Sequence, residues 1–246
     1  MIRHLRRITP LRKLFPALLT AVLCTALPAA AAIIGYQDKT LFNTAIAGWA
    51  STTTNFDAVA AGTSYAAGSG PAGSGFTLAL GGPDAGSFLP AVNSQFWTTS
   101  AANYLGLNNG DGALEQGDTL TFNFLAPVRA FGLFVIGIED VIAGDYKLAT
   151  GAASTGNSGS AALTDNNGSF AYFLGFVATG AREGFSSISF SVANRGLAFG
   201  LPTSLDDIIV AAVPGNPTPV PEPASMALLL IGLLGVGAIV QRSHRQ

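Results

Sequence analysis

The chain has 246 residues but only one cysteine and two histidines, Cys24, His4 and His244, and all three fall in its terminal segments. Residues 33–219 therefore carry neither thiol nor imidazole. That excludes Ser-His-Asp and Cys-His triads, imidazole acid–base catalysis, thiolate nucleophiles and ordinary zinc sites from this region, since each needs one of those side chains. It also excludes disulfides, so the region must be held together by its core alone. Bases are scarce too. Lys39, Arg129, Lys147, Arg182 and Arg195 face thirteen Asp and Glu up to Asp207, a net charge of −8 that disfavours nucleic acid and anionic lipid as partners. Carboxylates are the chief chemical groups left. They suit hard cations such as calcium or, less often, glycoside hydrolysis, for which Glu115, Glu139 and Glu183 are candidates although nothing in the sequence pairs any two of them.

Helical periodicity is equally scarce between the ends. One stretch, Asp38 to Trp49, places Leu41, Phe42, Ala45 and Trp49 on a shared face and predicts a short helix. Elsewhere the period is two. In "GDTLTFNFLAPV" Leu120, Phe122 and Phe124 alternate with Thr119, Thr121 and Asn123, the pattern of a strand with one dry face. "VRAFGLFVIG" is apolar on both faces after Arg129 and reads as a central strand. "FSSISFSV" turns Ile188, Phe190 and Val192 inward, and "SLDDIIVAAV" reads as a closing strand. Asn167-Gly168 between apolar runs predicts a hairpin turn. With no alternation of strands and helices, the expected fold is all-β: an antiparallel β-sandwich, jelly-roll-like, spanning residues 33–213. "GSGPAGSG" matches GxGxxG through Gly68, Gly70 and Gly73, but no strand feeds it and a strand-like "FTLAL" follows it. It reads as a loop.

The ends differ from this region. "MIRHLRRITPLRK", an apolar stretch and "AAAA" form a signal peptide over residues 1–32, with Ala30 and Ala32 at the positions signal peptidase inspects and cleavage expected after Ala32. Cys24 sits within the apolar stretch behind Leu23, too large for a lipobox. At the other end, "PGNPTPVPEP" has five prolines between Pro214 and Pro223 and reads as a stiff stalk. Ala224 to Val240 follows with no charge, about 25 Å if helical, enough for one short membrane span. Arg242 and Arg245 then place the tail, residues 241–246, in the cytoplasm and everything before Pro221 outside.

Val220, Pro221, Glu222 and Pro223, followed by the apolar span and by "QRSHRQ" with Arg242 and Arg245, resemble the C-terminal sorting signal of the PEP-CTERM family. The resemblance covers about 27 residues. It implies recognition by an exosortase, a membrane-embedded cysteine peptidase or transpeptidase of Gram-negative bacteria that make exopolysaccharide. The final helix would then be a temporary inner-membrane anchor, cut near the motif so that the protein reaches the cell surface or matrix. "GDTLTFNFLAPVRAFGLFV" and "LDDIIV" look like pieces of the β-sandwich ectodomains found in that family. "DDI" in a last strand is similar to carbohydrate-binding jelly rolls, which implies that Asp206 and Asp207 help hold a structural calcium; by itself the pattern reads as a solvent-facing acidic pair capping the sheet edge. For sugar binding the candidates are Trp97 and Tyr104, beside Gln95 and Asn103. "IEDVIAGDY", with Glu139, Asp140 and Asp145, and "NNGDG", with Asn108, Asn109 and Asp111, read as solvated turns. The expected role is a non-catalytic surface or matrix protein associated with extracellular polysaccharide. Its alternatives are a carbohydrate-binding or carboxylate-based carbohydrate-active domain, or a permanently anchored single-pass protein.

Overall fold

The computed structural model describes residues 32–137, 141–165, 168–180, 183–197 and 200–212. The signal peptide up to residue 31, the stalk, the apolar span, the tail and every sorting-motif residue from Val220 to Arg245 lie outside the described residues, as do Glu139, Asp140, Asn167 and Arg182. Among the described residues, no helix is long and apolar enough to cross a membrane.

Twelve strands and one short α-helix make up the described region, and all strand pairings are antiparallel apart from one isolated bridge. In chain order they are β1 (Ile33–Tyr36), α1 (Lys39–Ala45), β2 (Ser51–Thr54), β3 (Phe76–Gly81), β4 (Pro90–Asn93), β5 (Tyr104–Leu107), β6 (Thr119–Gly137), β7 (Tyr146–Ala149), β8 (Ser154–Gly156), β9 (Leu163–Thr164), β10 (Phe170–Ala178), β11 (Phe185–Val192) and β12 (Ser204–Ala212). The two strands expected on either side of Pro127 are one strand, β6. Pro127 interrupts its pairing without ending it: proline offers no amide donor, and the β11 register jumps from Asn123↔Ser187 to Val128↔Phe185 across this point.

That long strand organises the molecule. Its first half, 119–124, is flanked by β3 and β11, with β7 and β8 beyond β11. Its second half, 128–137, is flanked by β10 and β12, with β1 and β9 beyond β10, and β2, β5 and then β4 beyond β12. Leu120, Phe122 and Phe124 from the first half share one core with Phe131, Leu133 and Val135 from the second, so the two halves face each other across a common interior, as in a sandwich. Phe122 and Phe131 meet there with ring centroids 4.9 Å apart. Ile188, Phe190 and Val192 point into the same core, as their alternation requires.

A second, smaller cluster covers the outer face of the β10–β6–β12 half. Phe42 and Ile46, at and just beyond α1, lie against Phe134, Ile136, Phe173, Val177 and Ile209, with Trp49 and Trp97 at its margin. Asp38 caps α1, its Oδ1 accepting from the amides of Thr40 at 2.7 Å and Leu41 at 3.0 Å. Of the residues expected on the buried face, Phe42 is buried as expected, whereas Leu41 is 61% exposed. The reason lies beneath Phe42. Gly132 and Gly175 are direct cross-strand partners, and their missing side chains leave a notch for the ring. A Cβ on Gly175 would come within 2.8 Å of Phe42 Cδ2, and one on Gly132 within 2.7 Å of Phe173 Cζ.

The glycine-rich segment Gly68–Gly75 is a loop, as expected, and Phe76–Gly81 behind it is a strand. Leu78 N donates to Ser69 O at 2.8 Å and Gly68 N to Leu78 O at 3.0 Å, so this loop covers the free edge of β3.

Candidate functional site

The outer face covered by α1 carries three of the side chains that the sequence marks out, Trp97, Asp206 and Asp207. A register shift in β12 between Asp206 and Ile209 decides this placement. Leu205 faces the main core, so strict alternation would return Asp207 to that core. The extra residue instead resets the phase: Ile208 faces the main core, Ile209 faces the outer cluster, and both aspartates stay on the outer side. Asp207 takes φ +48° to make the bend, one of two non-glycine residues among those described with positive φ. Aspartate tolerates that region better than most residues, because its short side chain can bond locally.

Asp206 is fully buried and acts as a clamp on the segment that contains Trp97. Its Oδ2 accepts from Thr99 N at 3.0 Å, Thr99 Oγ1 at 3.0 Å and Ser100 N at 2.9 Å, while Oδ1 accepts from Asp207 N at 2.8 Å. Burial raises its carboxyl above the ordinary value; the bonds from Ser100 and Asp207 oppose this, and the charge of Asp207 adds to it. Asp57, which the sequence did not single out, clamps the other half of the same segment. It accepts from Ala101 N at 3.2 Å, Ala102 N at 2.8 Å, Asn103 N at 3.1 Å and Ser100 Oγ at 3.2 Å. Burial alone would raise the Asp57 carboxyl, but those donors outweigh it and hold the group below its usual range. The signal available was one isolated aspartate; its partners lie over forty residues away, so no local pattern announces the contact.

Beside these clamps lies an open groove of about 490 Å³. Lys39 and Asp207 face each other on it, Nζ to Oδ2 at 3.4 Å, and the ammonium also sits 4.8 Å from the Phe134 ring centroid. Thr99 Oγ1 lies 3.4 Å from Asp207 Oδ2. Gln37, Asp38, Thr40 and Leu163 also line its walls.

The candidate aromatics divide. Tyr104, a candidate for sugar contact or for core, is 0% exposed and is core: the ring is covered by Phe96, stacked at 5.8 Å, and burial pushes its phenol up to about 12. Trp97 is half-buried against the outer cluster. Asp145 is not a solvated turn residue either. It is buried, with Oδ1 3.0 Å from Arg195 Nε and Oδ2 accepting from Ile142 N at 2.8 Å. Asn109 closes its own loop through both its amide atoms onto Ala113.

Two of the three catalytic candidates, Glu115 and Glu183, are among the described residues. Glu183 is exposed, and Glu139 lies outside the described residues. Glu115 packs against Gly200, and its carboxyl is raised to about 7, first by burial and then by the charges of Asp111, Asp84 and Asp118. Asp118 is fully buried and spends its oxygens on backbone amides, Glu115 N at 2.9 Å and Asp84 N at 3.2 Å. Among the described residues, no group of three or more His, Cys, Asp or Glu is arranged to hold a metal ion.

The comparisons with known proteins fall mainly on the other end of the chain. Residues 219–243 match the PEP-CTERM protein-sorting motif, so the chain carries that signal. This motif implies an exported protein with a membrane-anchoring tail and an exosortase as its processing partner. No curated protein matches the chain. Among solved structures, the described fold is similar to the K2 cleaved adhesin domain of Lys-gingipain, at 14% identity and a TM-score of 0.40, over 65% of this chain and 97% of that one.

Proposed function

We propose that the chain is a non-catalytic surface or matrix protein: exported through its signal peptide, held briefly in the inner membrane by residues 224–240, and released when an exosortase cuts near Pro221-Glu222-Pro223. The sorting-motif match over residues 219–243 carries this reading. The physical logic is consistent with it. Pro221 and Pro223 keep the chain extended, as a protease cleft requires, and deny amide donors to an upward extension of the apolar helix. Signal peptidase and exosortase are then the processing partners, and extracellular polysaccharide is the setting in which the released sandwich, of jelly-roll type, works by contact. The absence of histidine and cysteine from residues 33–219 and the use of Asp57, Asp118 and Asp206 as backbone clamps support contact over turnover.

The test replaces Pro221, Glu222 and Pro223 with alanine in the producing cell and follows the protein by fractionation. The proposal expects the natural chain in the surface fraction and the variant held in the membrane fraction. Equal release of both would overturn it.

A further inference from the structure

We infer that the groove beside α1 is a binding site for a neutral, polyhydroxylated ligand, a saccharide without acidic groups, with Lys39 and Asp207 as its paired donor and acceptor. The size is right: about 490 Å³ lies within the ordinary range of small-ligand sites. The charge is right as well. Lys39 and Asp207 lie 3.4 Å apart and compensate each other, and the exposed cap residue Asp38 on the same wall leaves a surplus of one negative charge that disfavours an acidic ligand, whereas neighbouring hydroxyls can donate to the carboxylates and accept from the ammonium together. Thr99 adds a hydroxyl at the carboxylate, and Leu163, 44% exposed, supplies apolar surface against which a sugar's C–H face packs.

Construction of the site argues that it is more than a surface accident. Asp207 reaches the groove only because β12 carries the bulge and this residue adopts φ +48°, a conformation that costs free energy and tends to persist at functional positions. Its neighbours are fixed from behind. Asp206 holds Thr99 in place through two bonds at 3.0 Å, and Phe42 in the Gly132–Gly175 notch anchors the helix that presents Lys39. A ligand would thus meet a preorganised wall, which lowers the entropic cost of binding.

The inference deepens the proposed contact role, and its test is kept separate from the test of sorting. Full-length uncut protein in detergent is titrated calorimetrically with cellotetraose, maltotetraose, the N-acetylglucosamine tetramer and, as the acidic counterpart, tetragalacturonate. The expected result is binding of at least one neutral tetramer. Asp207→Gly, which accommodates the positive φ, and Lys39→Met, which keeps the apolar stem, each weaken it about tenfold, the loss expected for one charged hydrogen-bond partner. Leu163→Arg, which places a long side chain in the groove from an exposed position, abolishes it. No heat from any neutral tetramer at about 10 mM, preference for tetragalacturonate, or unchanged binding in the Leu163→Arg protein would each overturn the inference while leaving exosortase sorting standing.

Discussion

The seating of Phe42 between Gly132 and Gly175 offers a perturbation whose size follows from the geometry. Adding a methyl at Gly175 places its carbon 2.8 Å from Phe42 Cδ2 and 3.1 Å from Phe173 Cε1, closer than packed carbons allow. Overpacking of this kind costs about 1–3 kcal/mol, offset by roughly 0.5–1 kcal/mol because alanine suits a strand better than glycine. Gly175→Ala alone should therefore destabilise by about 1–2 kcal/mol. Phe42→Ala alone should cost about 3–5 kcal/mol, the range for deleting a buried aromatic ring. In the double variant the new methyl occupies space that the ring has vacated, so Gly175→Ala should become nearly neutral in that background. Trp49 and Trp97 border the same cluster, so urea unfolding followed by tryptophan fluorescence reads the event where it happens. The two costs adding within about 0.5 kcal/mol would refute the notch, because contacting residues must couple. Through α1, the same cycle also measures how firmly Lys39 is presented to the groove.

Other consequences are equally specific. Glu115, raised to about 7 from an ordinary 4.5, binds its proton more tightly when folded, so its contribution is favourable at low pH and is lost as pH rises from about 4.5 through 7. Glu115→Gln should then raise stability at pH 8 by about 1 kcal/mol after solvent screening, and leave it unchanged at pH 4, as read from urea midpoints. Asp57 has the opposite sign: its lowered carboxyl stabilises above the ordinary value of 3.8 and ceases to do so as pH falls through its folded value. Asp57→Ala should therefore free the segment around Trp97 and speed proteolysis between residues 94 and 103 at neutral pH, with the difference from the natural protein shrinking below pH 3.8. Asp206→Ala should destabilise by about 1–3 kcal/mol, because it leaves the Thr99 and Ser100 amides without their buried acceptor; equal midpoints for the two proteins would contradict the clamp.

Much of the architecture could be read from alternation alone. Leu120, Phe122 and Phe124, and likewise Ile188, Phe190 and Val192, face the core as a period of two demands. The break at Pro127 could not be read correctly, since a proline that ends one strand and a proline that bends a continuous one look alike until the partner's register is known. Local pattern also failed at Leu41 and left Tyr104 open. Leu41 and Phe42 both fit the helical stripe, but only Phe42 enters the Gly132–Gly175 notch, which joins residues 43 positions apart in the chain. Tyr104, beside polar neighbours, reads either as a sugar platform or as core, and the burial of its ring beneath Phe96 decides for core. For the groove, Asp207 was visible in "DDI", yet its partner Lys39 is 168 residues away, and a bulge decides which way the carboxylate points. The sorting tail is the opposite case: its three elements are contiguous, so a short window of sequence suffices to identify it.

The central claim is that the last segment of the chain is an address that is removed. Intact mass spectrometry of the protein recovered from the surface fraction tests this most directly. The account predicts a mature chain that begins near Ile33 and ends near Pro223, lacking residues 224–246. A surface protein that still ends at Gln246 would contradict it.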